Sequence, residues 1–162
     1  MIGMTGVGKT TVGRALAERL NFDFCDLDCA ITEKTGKSPA EIFALHGERT
    51  FREIETKELE GICGGCCENL VLSCGGGIVL SEKNRETLKK NTFAVWLVRP
   101  FCEIAKNKEV FERPPIGGNI ENYIKLFGQR EKLYGETCYL KLEYADVAQA
   151  VEKIREAISS NL

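Results

Sequence analysis

Short apolar runs alternate along the chain with longer segments whose apolar residues recur at helical spacing. Val12, Leu16 and Leu20 fall on one face of a helix that follows a glycine-rich stretch. Each apolar run is four to six residues long, which suits a buried strand. This alternation is typical of a parallel sheet covered by helices, so we predict an α/β fold. The predicted strands are 22–27, 70–73, 93–98 and 140–144.

Polar residues at the expected helix starts support this division of the chain. Ser38 followed by Pro39 is typical of an N-cap and a first-turn proline. Ser81 and Asp146 stand in the same capping position before two later helical segments. One further helix is predicted from an apolar stripe formed by Ile120, Tyr123, Ile124 and Phe127.

Composition narrows the class of protein. The chain has 162 residues, which suggests a single domain. Its formal net charge is -2 and it has no run of Lys or Arg, which argues against a nucleic-acid surface. No apolar run approaches the roughly 20 residues that span a membrane, and no signal peptide is recognisable. The eight cysteines are therefore expected to be reduced thiols of a cytoplasmic protein.

Residues 3–10 read Gly-Met-Thr-Gly-Val-Gly-Lys-Thr and fit the phosphate-binding pattern G-x-x-x-x-G-K-[ST] in full. Glycines let backbone N–H groups turn towards phosphate oxygens, and the next helix presents its positive end. Lys9 can reach the β- and γ-phosphates of a nucleotide, and the Thr10 hydroxyl can bind Mg²⁺. The alternative is a chance match, which the amphipathic helix after Thr10 disfavours. Only Met1 and Ile2 precede the loop, so either the first strand is unusually short or the true beginning of the chain is missing.

Two acids, Asp26 and Asp28, stand at the end of the strand predicted at 22–27. Alternation along a strand would place both carboxylates on one side, and open α/β sheets bind ligands at the carboxyl ends of their strands. One acid near a metal ion and one near a substrate hydroxyl would suit phosphoryl transfer. The alternative, equally open, is that Asp28 caps a helix beginning at Cys29.

Three consecutive glycines, Gly75, Gly76 and Gly77, follow a predicted buried strand. Because they lack a side chain, they would let a ligand approach the backbone closely. The alternative is a plain turn.

Three arginines stand at positions that suit anion binding. Arg130 lies along the apolar stripe of its helix, seven residues after Tyr123, and a buried guanidinium needs a partner such as a carboxylate. Arg52 stands three residues before Glu55, which can fix its rotamer. Arg113 precedes two prolines and a glycine pair, a stretch that suits a moving loop. The alternatives are a surface ion pair for Arg130, a solvated helix ion pair for Arg52 and a solvated loop charge for Arg113.

The segment Cys63-Gly-Gly-Cys66-Cys67 contains a C-x-x-C sequence. Structural zinc takes four ligands, usually from two such pairs, but there is no second pair and His46 is the only histidine. A redox thiol pair is a second possibility. We favour incidental cysteines at a helix end and in the loop that follows.

These motifs, in this order, resemble those of the shikimate kinase family over nearly the whole chain. The matching segments are residues 3–10, Thr11-Val12-Gly13-Arg14, Asp26-Leu27-Asp28, Ile42-Phe43, Gly47-Glu48, Phe51-Arg52-Glu53-Ile54-Glu55, Gly75-Gly76-Gly77 and Arg113-Pro114. The resemblance implies an NMP-kinase-like P-loop fold of three layers, with a five-stranded parallel sheet flanked by helices. It also implies a substrate-binding helical region at about 29–60 and a lid at about 108–119.

The resemblance also implies a role for each site residue. The residues expected to bind ATP are Gly3, Gly6, Val7, Gly8, Lys9, Thr10, Thr11 and Arg113. Those expected to hold Mg²⁺ are Thr10 and Asp26. Those expected to contact shikimate are Asp28, Arg52, Gly75, Gly76, Gly77 and Arg130. Those expected to be catalytic are Lys9, Asp28 and Arg113, with Asp28 at the attacking hydroxyl.

The activity implied is transfer of the γ-phosphate of ATP to the 3-hydroxyl of shikimate, on the route to aromatic amino acids. The alternatives are another small hydroxy-acid kinase of this fold, such as a gluconate kinase, and a non-catalytic nucleotide-binding module. Two residues depart from the family pattern. Lys106 stands where the family often has an arginine that packs on adenine. Pro115 is a second proline after Arg113, where the family has a leucine. We expect a cytoplasmic monomer whose partner is this small-molecule substrate, with no nucleic acid and no membrane.

Overall fold

The computed structural model describes residues 1–65, 69–107, 109–112 and 116–161. The strands are β1 Asp23–Asp26, β2 Leu70–Ser73, β3 Val95–Val98 and β4 Leu140–Glu143. The helices are α1 Lys9–Leu20, α2 Leu27–Thr35, α3 Pro39–Gly64, α4 Glu82–Asn91, α5 Phe101–Ile104, α6 Glu109–Glu112, α7 Ile120–Thr137 and α8 Val147–Ser159, with a short 3₁₀ helix at Ile78–Leu80. All four predicted strands are therefore present, with ends that differ by no more than two residues.

The strands form two parallel pairs, β1 with β2 and β3 with β4. Met1 and Ile2 connect the pairs. The Met1 amino group donates to the Leu72 carbonyl at 2.6 Å, and the Ile2 N–H donates to the Val95 carbonyl at 2.8 Å. Within the described residues, the five predicted strands thus correspond to four strands and a two-residue link. The link makes a single bridge, Ile2 with Trp96, because only two residues stand before the glycine-rich loop.

Helices pack in two groups. In one, α1 packs with α8; in the other, α3 packs with α2 and α4, and α4 packs with α7. Helix α1 also packs on β1 and β2, where Gly13 lies against Phe24 and Val71. The apolar side chains between these elements form one buried core. Its most deeply buried members include Ile2, Val12, Leu27, Ile31, Leu59, Leu97, Tyr134 and Ile154. Among the described residues, no helix is both long enough and apolar enough to cross a membrane.

Three of the predicted helix caps are confirmed. Ser38 and Glu41 form a reciprocal capping box at the start of α3. The Ser81 hydroxyl accepts from the Asn84 N–H, and the Asp146 carboxylate accepts from the Gln149 N–H. These caps satisfy N–H groups that have no partner inside a helix.

The predicted apolar stripe on α7 is correct for Tyr123, which is buried, and for Phe127, which is half-buried against the core, but wrong for its two isoleucines. Ile120 is 47% exposed and Ile124 is 57% exposed. The buried face of α7 is centred on Tyr123, Arg130 and Tyr134, which recur at seven and four residues and so stand on one line along the helix. Ile124 lies about 100° away from that line, because an α-helix turns through that angle per residue.

Candidate active site

The glycine-rich loop connects Ile2 to the first residue of α1. Gly3, Gly6 and Gly8 all have positive φ, at 138°, 86° and 84°. A Cβ at Gly3 would lie 2.6 Å from the Leu97 carbonyl oxygen, so backbone angle and space both require glycine there. Of the other residues predicted to bind ATP in this stretch, Val7 is buried and Thr11 is exposed. The loop therefore has the conformation that its sequence pattern predicts, at the N-terminus of a helix.

Lys9 folds back over the loop. Its Nζ donates to the Gly3 carbonyl at 3.0 Å and to the Met4 carbonyl at 2.8 Å. The ammonium group is thereby held beside the loop that would enclose phosphate oxygens.

Thr10 and Asp26 meet although they are 16 residues apart in the sequence. The Thr10 hydroxyl donates to Asp26 Oδ2 at 2.8 Å. Asp26 Oδ1 accepts from the Asp28 and Cys29 N–H groups, so Asp26 is the N-cap of α2. A hydroxyl and a carboxylate at this distance are the oxygen ligands that Mg²⁺ prefers, and the pair fits that ion.

The predicted position of Asp28 needs a correction. Strand β1 ends at Asp26, and Asp28 lies in the first turn of α2, so alternation along a strand does not place the two carboxylates together. The alternative, with Asp28 as a cap, is also wrong because Asp26 has that role. The Asp28 carboxylate nevertheless lies beside Gly75, where a Cβ would be 3.1 Å from Asp28 Oδ1.

A cavity of about 270 Å³ lies beside the phosphate loop. All the residues predicted to contact the substrate line it, namely Asp28, Arg52, Gly75, Gly76, Gly77 and Arg130. The other lining residues are Thr5, Ser38, Pro39, Ala40, Phe43, Phe51 and Glu55. Thr5 belongs to the phosphate loop, and a Cβ at Gly76 would lie 3.3 Å from its hydroxyl, so loop and cavity adjoin there.

Arg52 is held in place on several sides. Its Nη1 donates to Glu55 at 2.7 Å and its Nη2 donates to Glu48 at 3.2 Å. The guanidinium carbon lies 5.1 Å from the centre of the Phe51 ring. The same group lies directly on Gly77, where a Cβ would overlap it. Gly77 is therefore needed for the guanidinium to reach the cavity.

The predicted pairing of Glu55 with Arg52 is confirmed by a 2.7 Å ion pair. The sequence does not predict that Glu55 is fully buried. Its second oxygen, Oε1, has no hydrogen-bond partner among the described residues and faces Gly75. Burial raises the pKa of the Glu55 carboxyl, and the Arg52 charge acts in the opposite direction. The i, i+3 spacing from Arg52 indicated the pair, but spacing along one helix cannot show that the cavity encloses it.

We expect Glu55→Gln to flatten the pH dependence of stability. Because the pKa is raised, the folded protein keeps a proton that the unfolded chain releases at lower pH. The Glu55 contribution to the free energy of unfolding therefore falls as the pH rises from the ordinary glutamate range through the folded pKa. Urea unfolding at several pH values from about 4 to about 8 would measure the difference from wild type. Glu53→Gln, at an exposed residue paired with Arg49, is the control. Identical pH profiles for wild type and Glu55→Gln would contradict the prediction.

Arg130 is 4% exposed, and its Nε has no hydrogen-bond partner among the described residues. It lies one turn before Tyr134, whose hydroxyl donates to the Gly76 carbonyl at 2.5 Å. The prediction that α7 buries this arginine is confirmed, and the guanidinium lines the same cavity as Arg52.

Part of the predicted lid lies over the phosphate loop. Helix α6 brings Val110 so close to Gly6 that a Cβ there would be 2.7 Å from the valine. Arg113, Pro114 and Pro115 lie outside the described residues. The role predicted for Arg113 therefore stays a prediction. Lys106, the other departure from the family pattern, pairs with Glu103 at 2.7 Å.

Cys63 is a half-buried free thiol near the end of α3, while Cys66 and Cys67 lie outside the described residues. In the parts of the chain that the structure describes, no three His, Cys, Asp or Glu side chains are grouped to hold a metal ion.

A phosphate loop at a helix N-terminus, next to an acid and an arginine-lined cavity, defines a P-loop phosphotransferase. The family model for shikimate kinase matches residues 5–159. A shikimate kinase of Clostridium botulinum (strain Eklund 17B / Type B) is 34% identical, covering 99% of this chain and 96% of the relative. One of Sulfurihydrogenibium sp. is 39% identical, covering 83% of this chain and 80% of the relative. The chain belongs to the shikimate kinase family.

Solved structures agree with this assignment. The shikimate kinase from Acinetobacter baumannii in complex with shikimate has a TM-score of 0.90 and 34% identity, covering 99% of this chain and 91% of that chain. The shikimate kinase from Aquifex aeolicus has a TM-score of 0.82 and 30% identity, covering 99% and 95%. The α/β fold of NMP-kinase type is thereby confirmed.

Proposed function

We propose that this protein transfers the γ-phosphoryl group of ATP to the 3-hydroxyl of shikimate, on the route to aromatic amino acids. One observation carries the proposal: the cavity lined by Asp28, Arg52 and Arg130 adjoins the phosphate loop at Thr5. A substrate in the cavity would have its hydroxyl next to the phosphates. Positioning two reactants in this way is the main contribution that a protein makes to phosphoryl transfer.

Arg52 and Arg130 bind the carboxylate of the substrate in this proposal. A planar guanidinium can donate two parallel hydrogen bonds to a carboxylate. Glu55 holds Arg52 through Nη1 and orients the group, while Phe51 supports it from one face. Arg130 has an unpartnered Nε among the described residues and brings a second positive charge to the same cavity.

Asp28 accepts a hydrogen bond from the attacking hydroxyl and takes its proton. The new bond forms between the hydroxyl oxygen and the γ-phosphorus as the bond from that phosphorus to ADP breaks. Lys9 and Arg113 stabilise the negative charge on the transferring group. Gly76 and Gly77 form the backbone wall of the cavity next to these groups.

Thr10 and Asp26 are the residues that would hold Mg²⁺, whose role when bound is to neutralise charge on the nucleotide phosphates. Their 2.8 Å hydrogen bond keeps the Asp26 carboxylate at the first turn of α1, directly after the phosphate loop. Asp26 also caps α2. The same carboxylate therefore binds both the Asp28 N–H and the hydroxyl of Thr10, which directly follows Lys9 of the phosphate-loop motif.

The remaining expectations are part of the proposal. The chain forms a single kinase domain, with a substrate-binding region at about 29–60 and a lid at about 108–119. The protein works as a monomer in the cytoplasm. The three-layer arrangement with a five-stranded sheet is proposed with Met1 and Ile2 in the central position, since they hydrogen-bond to both strand pairs.

A coupled assay of ADP release would test the function. We expect ADP release to require shikimate and to be much slower with gluconate. Arg52 and Arg130 would bind the carboxylate of either acid, so the shape of the cavity has to distinguish between the two. Equal rates with the two acids would overturn the choice of shikimate. ADP release that no hydroxy acid stimulates would overturn the kinase assignment of this chain.

A further inference from the structure

Two buried tyrosines hold the phosphate loop from outside. The Tyr123 hydroxyl, from α7, donates to the Thr5 carbonyl at 3.1 Å. The Tyr144 hydroxyl, from the residue after β4, donates to the Val7 carbonyl at 2.5 Å. Both side chains are nearly buried, at 3% and 4% exposure.

Each of these hydrogen bonds sets the orientation of a whole peptide group. In a planar trans peptide, the carbonyl of one residue and the N–H of the next point in opposite directions. The Thr5 carbonyl bound to Tyr123 therefore turns the Gly6 N–H to the other side, and the Val7 carbonyl bound to Tyr144 does the same for Gly8. Among the described residues, neither of these N–H groups donates a hydrogen bond.

Lys9 completes this arrangement at the start of the loop. Its ammonium group acts only as a donor, and it donates to the Gly3 and Met4 carbonyls. Side chains thus bind four carbonyls of the loop, those of Gly3, Met4, Thr5 and Val7. Gly6 and Gly8, which follow Thr5 and Val7, have the positive φ that lets the loop turn there.

We infer that Tyr123 and Tyr144 are positioning residues for nucleotide phosphates: their hydroxyls hold the loop so that the Gly6 and Gly8 N–H groups face the anion. The inference rests on the proposed function, because the anion is the phosphate chain of ATP or ADP. It adds to the proposed site two residues that lie far from the glycine-rich motif in the sequence.

Neighbouring aromatic side chains hold the Tyr123 ring in one position. The Tyr123 ring packs against Phe101 and Phe111, with ring centres 5.8 Å and 5.7 Å away. Burial raises the pKa of Tyr123 to about 12, so its hydroxyl keeps the proton that it donates.

Tyr144 is fitted even more closely to the loop. The Arg99 guanidinium lies over its ring at 5.6 Å. Its hydroxyl oxygen occupies the space that a Cβ at Gly8 would need. The glycine and the tyrosine are therefore complementary in shape as well as joined through the neighbouring Val7 carbonyl.

The test compares Tyr123→Phe and Tyr144→Phe with wild type, since phenylalanine keeps the ring and removes only the hydroxyl. Tyr139→Phe is the matched control, because Tyr139 is 64% exposed and its hydroxyl donates to Asn161. Calorimetric titration with ADP and Mg²⁺ measures nucleotide affinity without turnover. Steady-state kinetics then give KM for ATP and for shikimate.

We expect each of the two variants to weaken ADP binding by about three- to tenfold, the effect of one neutral hydrogen bond. KM for ATP should rise in parallel, while KM for shikimate stays near wild type and the melting temperature falls by no more than a few degrees, the cost of one lost buried hydrogen bond. Tyr139→Phe should match wild type in all four quantities. Unchanged ADP affinity in both variants would overturn the inference, and so would an equal rise of both KM values, which indicates a general structural role. Wild type that binds ADP but does not phosphorylate shikimate would instead overturn the proposed function and leave the loop result intact.

Discussion

Replacing Lys9 by alanine should lower kcat by roughly 10²–10³-fold, the usual effect of removing one group that stabilises charge in a transition state. Lys9 Nζ binds the Gly3 and Met4 carbonyls at the rim of the phosphate loop, so its charge lies where the phosphates would bind. The side chain is half-buried and contributes nothing to the apolar core. The fold should therefore stay intact, and circular dichroism would check it alongside turnover.

Lys83→Ala is the matched control for this experiment. Lys83 is an exposed lysine that pairs with Glu60, so its removal takes the same charge from a distant surface. We expect wild-type turnover from this variant. If Lys9→Ala keeps most of its activity, Lys9 does not act on phosphate and the phosphate-loop role proposed for it fails.

The phosphate loop could be predicted from sequence because its determinants are contiguous. The pattern from Gly3 to Thr10 contains the residues that need positive φ and the lysine that closes over them. Helix caps such as Ser38 could be predicted for the same reason, since a cap and its N–H partner are three residues apart. The substrate cavity was within reach only through the family resemblance, because its lining residues come from α2, α3, α7 and the loop after β2.

Other features depend on contacts that no local pattern encodes. The end of β1 at Asp26 was missed, because a carboxylate at a strand end suits both an alternating strand and a helix cap. Full burial of Glu55 depends on elements that pack around α3, whereas its spacing from Arg52 is equally typical of a solvated pair. Tyr123 was predicted only as a core residue, and its bond to Thr5 spans 118 positions of the sequence.

These contacts predict that the site tolerates few local changes. The Arg52 guanidinium needs Gly77 beneath it, Glu55 beside it and Phe51 on one face. The carbonyl of Gly76 is held by Tyr134, which follows Arg130 by one helical turn. The two arginines are therefore positioned through the same three-glycine segment, one by direct contact and the other through its helix.

Arg130→Lys should raise KM for shikimate by about 10- to 150-fold and change KM for ATP little. A charge-assisted hydrogen bond contributes about 1.5–3 kcal/mol, which corresponds to that range of binding. Lysine keeps the positive charge but loses the planar fork that matches a carboxylate. It also leaves the 4% exposed position of Arg130 with a shorter group, whose donors diverge from one nitrogen and cannot form two parallel hydrogen bonds to one carboxylate.

Steady-state kinetics with each substrate varied in turn would measure this split. Arg19→Lys is the matched control, because Arg19 is half exposed and pairs with Glu152 on the surface formed by α1 and α8. Wild-type constants are expected for that variant, since an exposed pair contributes little and lysine preserves it. Shikimate saturation that is unchanged in Arg130→Lys would show that the buried guanidinium does not bind the substrate carboxylate. A rise in KM for ATP of the same size would show instead that the substitution disturbs the phosphate loop through α7, where Tyr123 and Arg130 lie on one face.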